Sequence, residues 1–229
     1  TYTSELYELA SRLDQLKRPV IIYIGGAPGT GKSMLATSLA TRLGINKVIS
    51  TDSIREIMRL AFSNDLLPTL FHSTTEAWKG LPMEFQSSEQ LIAGYCLQAN
   101  QVSLGVRAVV ERTVEEGENL IVEGAHLVPF LHEIAKKEMV DAYHIPITLS
   151  IMNEKHHRER FSERGTKNLR KIENFYLERF DGIRSIHEYT LSQCETDEVE
   201  VFDNEDLDET LNLIIQFSIQ RLFKQVNSE

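Results

Sequence analysis

Val20-Ile21-Ile22-Tyr23-Ile24-Gly25-Gly26-Ala27-Pro28-Gly29-Thr30-Gly31-Lys32-Ser33 decides how the rest of the chain is read. Its first five residues form an unbroken apolar, mostly β-branched run, the pattern of a strand buried on both faces, and the run halts at paired glycines. From Gly26 to Ser33 the spacing is G-x-x-x-x-G-K-S, and helical spacing follows from about Lys32 to Leu43, ending at Gly44. Strand, glycine-rich loop and helix in that order make a phosphate-binding loop. The glycines let backbone N–H groups turn inward around an anion, and the positive amino end of the helix faces the same point. Gly26, Ala27, Pro28, Gly29, Thr30, Gly31, Lys32, Ser33 and the adjoining Met34 are therefore the expected nucleotide contacts. Lys32 is expected to act catalytically by reaching the β- and γ-phosphates of ATP, and Ser33 to offer its hydroxyl to Mg²⁺.

Working outward, Leu6, Leu9, Leu13 and Leu16 recur at helical spacing before Pro19, which predicts an N-terminal helix within residues 1–18. Strand two is expected at Lys47 to Ser50, with Thr51-Asp52-Ser53 opening a helix. Residues 62–117 read as an insertion, irregular from Phe62 to Phe85, followed by a long amphipathic helix that Ser87 and Gln90 open as a capping box. Strand three follows at Leu120 to Val122, and a helix near Leu131 to Lys137 leads to strand four at Ile145 to Ile151. Residues 154–194 read as a charged helical stretch, a lid and its following helix. Strand five at Val199 to Phe202 precedes a closing helix from Leu207 to Phe223. Strands alternating with helices predict one domain over 1–229. Its expected fold is the P-loop NTPase three-layer α/β/α architecture, with a mostly parallel five-stranded sheet and a helical insertion or lid. In such a sheet ligands bind beyond the carboxyl ends of the strands, and the remaining candidate residues fall there.

Asp52, just past strand two, is expected to accept the proton of the acceptor hydroxyl or to orient it, and to reach the metal through water. An aspartate at that point also suits a helix N-cap, and both readings stay open. Arg55 lies one turn on and can grip a carboxylate or phosphate with its two-pronged guanidinium, or make an exposed ion pair. Glu123 ends strand three, where an acid can order the water shell of Mg²⁺. His126 then comes off the strand end as a substrate contact or as a structural histidine. Between Lys155 and Lys171 stand seven basic residues, Lys155, Arg158, Arg160, Arg164, Lys167, Arg170 and Lys171, against two acids, Glu159 and Glu163. Most of them fit a solvated face. Arg158, Arg164 and Arg170 are assigned as lid arginines, with Arg164 stabilising the charge that develops on the transferred group and Arg158 and Arg170 meeting the substrate; Arg184 is a further candidate.

This local basicity stands out because the 229-residue chain carries 24 Lys and Arg against 34 Asp and Glu, a formal net charge of −10. That balance disfavours binding to a nucleic-acid backbone, which needs a broad cationic surface. Cys96 and Cys194 have neither disulfide nor zinc-site spacing. No run approaches the roughly 18 apolar residues of a membrane span. Thr1-Tyr2-Thr3-Ser4 lacks the pattern of a signal peptide, so a cytoplasmic protein is expected, with a further domain upstream of Thr1 left open.

Thr51-Asp52-Ser53-Ile54-Arg55, Pro68-Thr69-Leu70 with Ser73, Thr74 and Trp78, Val122-Glu123-Gly124-Ala125-His126-Leu127-Val128-Pro129, and His157-Arg158-Glu159-Arg160-Phe161 with Arg164 join the phosphate loop in a wider pattern. From about Val20 to Leu213 the chain resembles the 2-phosphoglycerate kinase family of small-molecule P-loop kinases. The resemblance implies ATP-dependent phosphorylation of the 3-hydroxyl of 2-phosphoglycerate, giving 2,3-bisphosphoglycerate and ADP. A small phosphorylated acid is then the expected partner, with neither nucleic acid nor membrane. The same phosphate loop and strand-two aspartate also serve kinases for a sugar, a nucleotide or a nucleic acid 5′ end, and a nucleotide-dependent switch.

Overall fold

The computed structural model describes residues 13, 16–82, 89–129, 131, 141–163 and 170–227, with the backbone alone at 163 and 170–173. The expected helix at Ser4 to Leu16 lies outside these residues apart from Leu13 and Leu16, as do Ser87 of the capping box and most of the expected helix at Leu131 to Lys137. Five strands, β1 (Val20–Gly25), β2 (Lys47–Ser50), β3 (Leu120–Glu123), β4 (Tyr143–Ser150) and β5 (Glu200–Asp203), form one sheet in the order β2-β3-β1-β4-β5. Every pairing is parallel, so the expectation of a mostly parallel sheet sharpens to a wholly parallel one. Strand β4 begins two residues earlier than the apolar run suggested, because Tyr143 and His144 extend the ladder against Val20 and Ile21.

β1 occupies the centre and is buried along its whole length, which is why it reads as a continuous apolar run. Its side chains alternate between two cores, as the two-residue period of a strand requires. Ile22 and Ile24 pack with Leu35, Leu39, Leu211 and Ile214, from α1 (Lys32–Leu43) and the C-terminal helix (Leu207–Asn227). Ile21 and Tyr23 face the other way, onto Ile54 of α2 (Thr51–Ala61) and onto Val102, Val106 and Val110 of the long helix α3 (Gln90–Glu115). Helices thus cover both faces, the three-layer arrangement.

The irregular stretch after α2 contains two 3₁₀ turns, Pro68–Phe71 and Ala77–Gly80. The second lies against α3 at Gly94, where an added Cβ would stand 2.2 Å from the Trp78 backbone nitrogen. The charged stretch after β4 divides into α4 (Glu154–Glu163), α5 (Arg170–Glu178) and α6 (Phe180–Asp197); the C-terminal helix is α7. No described helix is long and apolar enough to cross a membrane.

Candidate active site at the carboxyl ends of the strands

The chain leaves β1 at Gly25 and enters α1 at Lys32, so the loop between them lies over the sheet's carboxyl edge. Gly29 has φ +86°, and a Cβ there would fall 2.3 Å from the Phe161 ring, so both conformation and space require glycine. The loop is braced from behind. Asn204 donates from Nδ2 to the Thr30 carbonyl at 2.8 Å, and Thr30 Oγ1 and Lys32 Nζ donate to the Ala27 carbonyl at 3.0 and 2.7 Å. His157 Nε2 lies 2.8 Å from the Pro28 carbonyl, and its Nδ1 lies 3.4 Å from Arg184 Nη1. A carbonyl only accepts and a guanidinium only donates, so the ring is neutral with its proton on Nε2. Burial pushes its pKa down to about 4, against the Pro28 hydrogen bond, and the nearby Arg184 adds to the fall.

Beside the loop, Ser33 Oγ donates to Glu123 Oε1 at 2.9 Å, and Glu123 is buried at the end of β3. β2 and β3 pair Ser50 with Glu123, which brings the next turn of chain to the same edge. Ser50 is the residue that caps α2, accepting from the Ser53 N–H at 3.1 Å. Asp52 therefore stands inside the first helical turn and not at the cap, with its carboxylate lining the cleft shared with Lys32, Ser33 and Glu123. Arg55 also lines this cleft. Its side chain is only 14% exposed, its Nε lies 3.8 Å from Asp52 Oδ1, and its Nη1 donates to the His72 carbonyl. Ser73, Thr74 and Thr75 form the next wall, and Phe175 and Tyr176 of α5 the wall opposite.

His126, expected as a substrate contact, does not line the cleft. It is 1% exposed, with Nδ1 2.8 Å from Thr51 Oγ1 and Nε2 3.1 Å from Gln98 Oε1. Gln98 spends its amide N–H groups on the Thr69 and His72 carbonyls, at 2.6 and 3.0 Å, so its oxygen must accept from His126 Nε2 and Thr51 must donate to Nδ1. Burial pushes the His126 pKa down to about 4, with Asp52 opposing and Arg55 and Lys32 assisting. The histidine thus acts from behind the wall, linking the start of α2 to the turn that carries His72. Gly124, at φ +153°, lets the chain pass this point, since a Cβ would meet Thr51 Oγ1 at 1.7 Å.

The basic cluster disperses. Arg158 lays its guanidinium over Phe180, 4.2 Å from the ring centroid and 4.0 Å from Asp181, and does not line the cleft. Arg160 donates to the Asn204 and Glu205 carbonyls. Arg184 donates to the Ile151 carbonyl at 2.9 Å. Arg164 lies outside the described residues, and so does the side chain of Arg170. Sequence reasoning gave no role to His157, Gln98, Phe175 or Tyr176. His157 was visible in the motif that begins with it, whereas the other three depend on which helices meet. No group of three or more potential metal-ligating His, Cys, Asp or Glu side chains occurs among the described residues. Mg²⁺ needs none, because a hydroxyl, a carboxylate, phosphate oxygens and water suffice for it. Ser33 and Glu123 provide the first two, so the donor set fits this ion.

A family model described as an AAA domain matches residues 22–181. A 2-phosphoglycerate kinase of Methanopyrus kandleri is 38% identical over 224 residues, covering 96% of this chain and 67% of that protein. Its counterpart in Pyrococcus furiosus is 40% identical over 206 residues, covering 90% of this chain and 66% of the relative. Among solved structures, a gluconokinase from Sinorhizobium meliloti 1021 superposes with a TM-score of 0.52 at 13% identity, covering 93% of this chain and 98% of that one. This likeness concerns the fold.

Proposed function

The chain belongs to the 2-phosphoglycerate kinase family, and from that membership we propose that it transfers the γ-phosphoryl group of ATP to the 3-hydroxyl of 2-phosphoglycerate. The observation that carries the reading at the site is the convergence of phosphate loop, Ser33–Glu123 pair, Asp52 and Arg55 on one cleft. In this reading the loop amides and Lys32 hold the β- and γ-phosphates, the lysine turning from the Ala27 carbonyl to the more strongly accepting phosphate oxygens. Ser33 and Glu123 would hold Mg²⁺, which would supply positive charge to neutralise the phosphates. Asp52 orients the acceptor hydroxyl and takes its proton as the oxygen bonds to phosphorus. Arg55, held by the His72 carbonyl, faces the acceptor's carboxylate or phosphate, and the Ser73 to Thr75 hydroxyls complete that wall. Once the 3-hydroxyl is phosphorylated, ADP and 2,3-bisphosphoglycerate leave.

The test is ADP release from Mg-ATP against 2-phosphoglycerate, 3-phosphoglycerate, gluconate, shikimate and nucleoside monophosphates. Selective turnover of 2-phosphoglycerate is expected. Preference for another member of the panel would discard the substrate and keep the kinase, and ATP binding without turnover of any member would favour a nucleotide-dependent switch.

A further inference from the structure

Two walls of the acceptor cleft come from distant parts of the chain, the Ser73 to Thr75 turn and the Phe175–Tyr176 face of α5. A residue pair that does not itself line the cleft joins them. Glu76 Oε1 accepts from Arg179 Nη2 at 3.1 Å and from Lys79 Nζ at 2.5 Å, while Oε2 accepts from Ser73 Oγ at 3.1 Å. Arg179, between α5 and α6, stacks its guanidinium on Phe175 at 3.8 Å from the ring centroid and donates from Nη1 to the Phe175 carbonyl at 3.0 Å. Both side chains are largely covered, at 19% and 26% exposure. The Arg179 and Lys79 charges hold the Glu76 carboxyl down at about 2, so it is an ionised acceptor throughout the physiological range. An ionised carboxylate only accepts, which commits the Ser73 proton to Glu76 and turns the serine lone pairs toward the remaining space.

We propose that Glu76 and Arg179 are positioning residues that clamp the two acceptor walls together, setting the affinity for the acceptor and the choice among acceptors while leaving nucleotide binding alone. The path Ser73–Glu76–Arg179–Phe175 consists of three directional contacts, two charge-assisted hydrogen bonds to the Glu76 carboxylate and one cation–π stack, and its central ion pair bridges 103 residues of sequence. Neither residue contacts the phosphate loop in any of these interactions. Shifting either wall changes how an acceptor's anionic groups are met, which is where a kinase selects its substrate. The inference rests on the kinase reading of the cleft.

Steady-state kinetics of Glu76→Gln, Arg179→Gln and the double variant test it, using whichever panel acceptor the unaltered chain turns over best. That unaltered chain alone decides the acceptor's identity, so failure of the substrate reading and failure of the clamp remain distinguishable. Each single variant is expected to raise the acceptor KM about tenfold, with the ATP KM within about twofold, and the double variant to be no worse than the weaker single one. Arg179→Lys keeps the ion pair but not the planar stack on Phe175, and is expected to fall between. Should the glutamine variants fail to fold, Arg179→Lys still decides, since an acceptor KM equal to that of the unaltered chain would overturn the proposal. So would multiplicative effects in the double variant, or equal losses in ATP and acceptor KM.

Discussion

Lys32 and Asp52 line the same cleft but have different roles in the proposed reaction, and their substitutions should separate accordingly. In the proposed reaction Lys32 carries charge toward phosphate oxygens, and its hydrogen bond to the Ala27 carbonyl stays within the loop, so Lys32→Ala is expected to keep the fold while lowering kcat by about 10²–10³-fold or more. A circular-dichroism melt alongside the kinetics checks both halves of that statement, and unchanged turnover would remove the lysine from the mechanism. Asp52 is exposed, is not the cap of α2 and has its nearest charged partner 3.8 Å away, so little stability depends on it. Asp52→Asn is expected to lower kcat by roughly 10²-fold while the nucleotide Kd stays within about threefold. A loss confined to nucleotide affinity would make Asp52 a metal contact in place of a base.

At the scale of elements, α3 is the backbone of the proposed acceptor side. It supplies Gln98 to the His126 and His72 network and offers Gly94 as the seat of the Ala77–Gly80 turn. Gly94→Ala is expected to push that turn outward, lowering the thermal midpoint by several degrees, since about 1 kcal/mol shifts a domain of this size by roughly 2–4 °C. The acceptor KM should rise and the ATP KM stay put; a variant that melts like the unaltered chain would show the turn to be pliant. The nucleotide half of the site was legible because its signals are local: a β-branched run, glycines at fixed offsets, a lysine and serine at the helix start. Glu123 was legible for the same reason, as a charge closing an apolar strand. The acceptor half was not, because each of its parts depends on which elements meet. His126 follows a strand end in the sequence, yet the 3₁₀ turn at Ala125–Leu127 buries its ring between Thr51 and Gln98, 75 residues before it and 28 residues before it. Helical spacing could not reveal that Arg158 is drawn onto Phe180, because that contact exists only after α4 and α6 pack together.

For the whole molecule, three buried neutral histidines tie stability to pH. His126, His157 and His187 each have their pKa pushed down to about 4, burial being the largest cause in every case. An unfolded histidine titrates near 6.5, so between about pH 6.5 and 4 the unfolded chain binds more protons and stability rises with pH. Their contribution is therefore present above about pH 6.5 and lost on acidification toward 4, at a few kcal/mol or less for each. Thermal midpoints are expected to be nearly level from pH 7 to 8 and to fall steadily from pH 6.5 to 4.5. A midpoint indifferent to that acid range would mean that these rings ionise without leaving their places. The bond from Asn204 to the Thr30 carbonyl has a consequence for the order in which the protein becomes competent during its synthesis. Its partners are separated by 174 residues, an interval that a ribosome takes on the order of ten to thirty seconds to cover. The nucleotide cradle is thus written early and closed late: nascent chains halted before Asn204 are expected to pass through an immobilised-ATP column, and chains extended through α7 to be retained.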